Sequence, residues 1–143
     1  MRKLLVPIAL GSYLTVLVAA SLWPKPVDGQ GLLAAITYQV LVFTSTVSWL
    51  SWLQYNQLEE LANVLLYVPL GIFLVILWPK AKLWVLCLIP LAVSGLAEIS
   101  QRLFLPDRYA TVNDVFFNTL GGVLGVLISA SIRQLMRNSK TER

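Results

Sequence analysis

The sequence predicts an all-α, polytopic membrane helical bundle. Four spans fall at about 4–23, 62–78, 83–103 and 115–132, with an interfacial or re-entrant helix at 31–53. Three observations predict this class. Of the 143 residues, 57% are apolar and only 13% charged, and mean hydropathy is +0.74, more than a soluble domain carries. The apolar residues come in runs of roughly 20, the length that crosses a hydrocarbon core of about 30 Å as a helix. The basic residues stand in short flanks beside these runs, where such charges orient spans or meet anionic lipid.

The same composition excludes several function classes. A net charge of +4 distributed in flanks gives no basic face for nucleic acid. The absence of histidine removes His-based triads, imidazole general bases and the common imidazole metal sites. Cys87 is the single cysteine, so the chain forms no internal disulfide. The length suits a single domain over 1–143, with a basic tail from Arg133 expected to be frayed and cytoplasmic.

Along the chain, Arg2 and Lys3 precede an apolar run from Leu4 to Trp23, ended by Pro24 and Pro26. The run exceeds a usual signal-peptide core and reads as an uncleaved span. Segment 31–53 has the length of a span but carries Gln39, the hydroxyls of Thr44, Ser45, Thr46 and Ser48, and the interface-favouring Trp49 and Trp52. Charge decides its placement. With four spans, Arg2, Lys3, Lys80, Lys82, Arg133, Arg137, Lys140 and Arg143 lie on one side, with Glu142 the only acid there. That side is the cytoplasm by the positive-inside rule, and both termini lie there. If 31–53 were a fifth span, the basic C-terminus would fall outside, so an interfacial or re-entrant helix on the outer face is the reading adopted.

The second span opens with Glu59 and Glu60, read as a solvated face or as charges favoured near a helix N-terminus. Asn63 and Tyr67 follow on one helix face, and Pro69 and Gly71 mark a kink. Lys80 and Lys82 form a short turn that makes spans two and three antiparallel neighbours. The last span carries Gly121, Gly125 and Ser129 at intervals of four. Such a stripe lets helices approach closely and offers a face for a membrane-protein partner or a homo-oligomer.

Polar residues concentrate between Ser94 and Gly125. Ser94, Glu98 and Gln101 share one face of the third span; Asp114 and Asn118 share one face of the fourth. Glu98 lies 15 residues from Leu83, about 22 Å along the helix, and so in the outer part of the bilayer at the level of Asn63 and Asn118. Arg108 is the cation in the intervening loop; Arg102 and Asp107 read as solvated. Ionisable groups at such depth mark functional sites, although a hydrogen-bonded lock between helices would use the same residues. Three chemistries fit. Arg108 could grip an anionic head group. Glu98, Asp114, Gln101, Asn118 and Asn63 offer the oxygens that a hard divalent cation such as magnesium takes. Glu98 and Asp114 could act as acid and base in an enzyme.

The run Asn63-Val-Leu-Leu-Tyr-Val-Pro69-Leu-Gly71, the Glu98-x-x-Gln101 pair, Arg108, and Asp114-x-x-x-Asn118-Thr-Leu-Gly121 together resemble the VanZ-like family over about 62–125. The first 60 residues match it only as a generic span and loop, and 31–53 is more apolar than the family's outer loop would be. The resemblance implies a small protein of the bacterial plasma membrane, of a family whose name-giving members lower susceptibility to teicoplanin and related lipoglycopeptides. Its motif positions here are Asn63, Pro69, Gly71, Glu98, Gln101, Arg108, Asp114, Asn118 and Gly121. It supplies no mechanism, but charge counting faces the cluster toward the compartment where those drugs meet lipid-anchored precursor, and Asn63, Tyr67, Glu98, Gln101, Arg108, Asp114 and Asn118 are the candidate ligand-binding residues. The expected ligand is a membrane lipid, glycolipid or lipid-linked cell-wall precursor. A lipid-linked phosphate or sugar as the substrate of an intramembrane enzyme, and a structural assembly partner without ligand, are the alternatives.

Overall fold

The computed structural model describes residues 2–22, 32–50, 52–105 and 111–141. Pro24, Pro26, Asp107 and Arg108 lie outside them, as do the side chains of Trp49 and Lys140. The described residues form five α-helices and no strand: α1 (Arg2–Ser21), α2 (Leu32–Thr46), α3 (Tyr55–Leu77), α4 (Leu83–Phe104) and α5 (Val112–Thr141), with a 3-10 turn at Ser48–Leu50. Helices α3, α4 and α5 are each long and apolar enough to cross a membrane. Helix α1 is a 20-residue apolar helix that continues through Pro7, about 30 Å long.

Burial is inverted relative to a soluble bundle. Glu98 is 7% exposed, and Gln101, Asn118 and Ser94 are buried with it, while Leu103 and Leu65 are 70% and 69% exposed. Only a surrounding apolar phase makes that distribution favourable, because it leaves polar groups to find partners inside the protein. The chain is therefore a membrane protein.

Helix α2 has 15 residues, about 22 Å, and stops short of a full crossing. Its end is written in three successive hydroxyls. Thr44, Ser45 and Thr46 donate to the carbonyls of Leu41, Val42 and Phe43 at 3.0, 2.7 and 2.7 Å, competing with the helical ladder and closing the last turn. Helix α3 starts at Tyr55, two turns earlier than expected; Gln57 Oε1 accepts the Gln54 amide at 3.1 Å there. Glu59 and Glu60 thus sit inside α3, not ahead of it. Helix α5 runs to Thr141, so the tail from Arg133 is helical, not frayed: Arg, Gln, Leu and Met are strong helix formers and no Gly or Pro interrupts them.

Packing centres on α5. It lies parallel to α3 and in its most extensive contact, packs antiparallel on α4, and leaves α3 and α4 touching far less than their short connecting turn suggests. Gly71 and Gly125 make this possible. A Cβ on Gly125 would meet the Val68 carbonyl and lie 3.1 Å from the Gly71 Cα; one on Gly71 would meet the backbone of Gly122 and Val126. Gly71 is therefore a packing position within a continuous α3. The Gly121–Gly125 stripe faces α3 within the chain, so a partner helix would need another surface. Around this contact lies a small core of Leu17, Tyr67, Leu70, Leu74, Leu86 and Val126. Helix α1 joins it through Tyr13, whose hydroxyl donates to the Leu66 carbonyl at 2.8 Å and whose ring lies 5.7 Å from that of Phe73.

Gly71→Ala and Gly125→Ala each insert a methyl against backbone and are expected to destabilise by about 1–3 kcal/mol. Gly11 and Gly95 have open space where a Cβ would go. Gly11→Ala and Gly95→Ala should be neutral or stabilising by up to about 1 kcal/mol through helix propensity. Thermal unfolding of the four variants in one detergent compares them directly.

Candidate functional site

Four helix ends meet at one end of the bundle: the C-termini of α1 and α4 and the N-termini of α3 and α5. The polar residues singled out in the sequence gather there in two layers. In the outer layer, Asn63 on α3 donates through Nδ2 to Asp114 Oδ1 on α5 at 2.8 Å. Asp114 Oδ2 accepts the Thr111 hydroxyl at 2.7 Å, and the Thr111 oxygen accepts the Asp114 amide at 3.1 Å. Thr111 is thereby the N-cap of α5, and Asp114 stands in its first turn, where the helix dipole favours an anion.

In a capping box the third residue of the helix also accepts the N-cap amide. Here that role passes to another helix. The Thr111 amide donates to Glu98 Oε2 on α4 at 3.1 Å, while Asp114 is engaged by Asn63. One cap thus ties α3, α4 and α5 together at a single depth. Gln101, one turn beyond Glu98, donates through Nε2 to the Ser21 carbonyl at 2.6 Å. That carbonyl belongs to the last residue of α1.

The inner layer lies one turn deeper on each helix: Tyr67 beyond Asn63, Ser94 before Glu98, Asn118 beyond Asp114. All three are buried, and Ser21, Ser94 and Glu98 stand around the Tyr67 hydroxyl. Among the described residues Tyr67 Oη, Ser94 Oγ and Asn118 Oδ1 meet no partner at full hydrogen-bond geometry, although the Ser21 and Ser94 hydroxyls lie close enough to Tyr67 to interact with it. In an apolar surrounding a polar atom without a good partner costs on the order of several kcal/mol, so the three together favour a polar guest. Two hydroxyls and an amide oxygen suit hydroxyl, phosphate or water oxygens. For a hard cation, the described residues hold no group of three His, Cys, Asp or Glu side chains. Glu98 and Asp114 would need amide oxygens such as Asn118 Oδ1 to complete one.

The structure therefore brings together Asn63, Tyr67, Glu98, Gln101, Asp114 and Asn118; Arg108 lies outside the described residues. Arg102 is exposed in the last turn of α4. Sequence reasoning missed Thr111 and Ser21. The Thr111-x-x-Asp114 spacing was a legible capping signal. Ser21 contributes a backbone carbonyl, which no side-chain pattern announces.

The Asn63–Asp114 bond crosses between helices and is half-buried. A double-mutant cycle with Asn63→Ala and Asp114→Ala, read by unfolding in detergent, is expected to give a coupling of about 0.6–1.7 kcal/mol. Thr111→Ala should itself destabilise by about 1 kcal/mol through loss of the cap.

A family model described as VanZ/LLP1 matches residues 4–133. Comparison with curated proteins and with solved structures gave no match. The matched span is wider than the motif resemblance at 62–125. It takes in α1 and α2, and every described residue of both polar layers falls inside it. The chain is a membrane-embedded helical bundle, and it belongs to the VanZ/LLP1 family.

Proposed function

We propose that the polar cluster binds the head group of a lipid-linked, hydroxyl-bearing anion, such as a glycolipid or lipid-anchored cell-wall precursor, at the extracytoplasmic side of a bacterial plasma membrane. The observation that carries this reading is the inner layer: three buried polar atoms, one from each of α3, α4 and α5, that meet no partner at full hydrogen-bond geometry among the described residues. A lock between helices would satisfy its own members, as the outer layer does. In this reading Glu98, Asp114 and Asn118 accept bonds from sugar hydroxyls, Tyr67 and Ser94 donate, and Arg108 in the loop between α4 and α5 holds the phosphate through its planar fork. Gln101 and Asn63 hold the helix ends that frame the site.

The side of the membrane follows from the basic residues at the other end of the bundle, which the positive-inside rule assigns to the cytoplasm together with both termini. Occupancy of this site would alter envelope chemistry or the access of lipoglycopeptides such as teicoplanin to their precursor.

The test is binding of a polyprenyl-diphosphate disaccharide to purified protein in phosphatidylcholine nanodiscs. Glu98→Gln keeps an acceptor for the Thr111 amide. It and Arg108→Ala are each expected to weaken binding by about tenfold or more, the scale of one lost charge-assisted hydrogen bond. Unchanged binding and unchanged lipoglycopeptide susceptibility in both variants, at normal abundance, would sink the proposal. Turnover of the lipid-linked probe that disappears in Glu98→Gln while binding persists would convert the reading to an intramembrane enzyme with Glu98 and Asp114 as acid and base.

A further inference from the structure

We propose that the opposite end of the bundle carries a second site, for the phosphodiester head group of an anionic glycerophospholipid. It is separate from the cluster just described. Leu77 lies 14 residues from Asn63, Leu83 lies 15 from Glu98, and Arg133 lies 15 from Asn118. All three helices therefore put about 21–22 Å between the two ends. The helices extend a further six to eight residues past these cluster positions, to Tyr55, Phe104 and Val112, which adds about 9–12 Å, so with the cluster just inside one interface this end reaches the other.

The length of α5 sets the position. Counting from Val112, about 20 residues traverse a core of about 30 Å, so the helix leaves the hydrocarbon near Arg133 and continues to Thr141. On that first turn outside, Arg133, Gln134, Arg137 and Asn138 fall on one face by their spacing. They form the polar wall of a groove of about 450 Å³ whose other wall includes Trp78 and whose floor includes Leu86. Arg133 Nη1 donates to the Pro79 carbonyl at 2.5 Å, fastening the α3–α4 turn against α5. A guanidinium has five N–H donors, and that bond uses one. Trp78 is exposed beside the groove, a residue that favours the head-group level.

Charge and shape together select the occupant. Lys80 and Lys82 are exposed on the adjoining turn, and none of the described residues lining the groove is acidic. Arg133 and Arg137 thus bring two cations to the groove itself, and the two lysines add positive potential beside it. Above the buried Val75 and Leu86, the lining includes the exposed apolar side chains of Trp78 and Leu83, which an acyl chain can follow while its phosphate meets the arginines. A soluble anion would use the wall and leave the floor wet. Basic pockets between helices at a membrane interface bind anionic head groups in this way.

The experiment is native mass spectrometry of the full chain released from nanodiscs of equal parts phosphatidylglycerol and phosphatidylcholine. Wild-type protein is expected to retain phosphatidylglycerol selectively. Arg137→Gln combined with Arg133→Lys, which keeps a donor for Pro79, is expected to reduce that retention by about tenfold. Lys80→Gln/Lys82→Gln should reduce it by less than the arginine pair. Equal retention of the two lipids, or equal losses from the lysine and arginine pairs, would overturn the proposal in favour of diffuse surface charge. Displacement of the bound lipid by millimolar glycerol phosphate would overturn it in favour of a soluble-anion site. An unfolding temperature matching wild type shows that the arginine variant is folded; if it is not, Arg137→Gln alone, which leaves the Pro79 bond in place, gives the same readout.

Discussion

The contact of α3 with α5 through Gly71 and Gly125 brings two helix backbones together with no side chain between them. Lipid supplies no hydrophobic drive between apolar helices, so such close packing is what holds spans together. It also sets register. With Gly125 seated against Val68 and Gly71, Asn63 is brought level with Asp114, and Tyr67 falls one turn below. A bulkier residue at either glycine would separate the helices and lengthen the 2.8 Å bond between Asn63 and Asp114.

That register lets one helix cap serve three helices. The first amides of α5 have no partner within their own helix. Thr111 supplies one acceptor and Glu98 another, so a glutamate that would be a liability in hydrocarbon becomes the partner of a backbone amide on a different helix. Asp114, relieved of that role, is available to Asn63. The outer layer is in this way complete, and the incompleteness of Tyr67, Ser94 and Asn118 beneath it stands out by contrast. Polar atoms left open under a satisfied layer are the physical basis for placing a guest there.

The long α5 also links the two ends of the molecule. Its N-terminal turn builds the cluster; its C-terminal turns, past Arg133, build the basic groove with the α3–α4 turn. The residues between are the glycine-bearing surface that packs on α3 and, through Gly122, on Pro90 of α4. One helix thus carries packing in its middle and polar chemistry at both ends, where head groups of the two leaflets are found.

The sequence by itself determined the class, the helices and the membership of the cluster. Apolar runs of span length, flanking Lys and Arg, and polar residues at helical spacing are local patterns, and local patterns survive without knowledge of neighbours. Glu98, Gln101, Asp114, Asn118, Asn63 and Tyr67 were all legible in this way, and so was the small-residue stripe. What the stripe packs against, and that Gly71 is a point of backbone contact, were decided by which helix lay opposite. So were the transfer of a capping role from Asp114 to Glu98 and the use of the Ser21 carbonyl by Gln101. Each of these pairs atoms far apart in the chain, across 13 residues for Glu98 and Thr111 and 80 for Gln101 and Ser21. Helical periodicity says which way a side chain faces; only packing says what it faces.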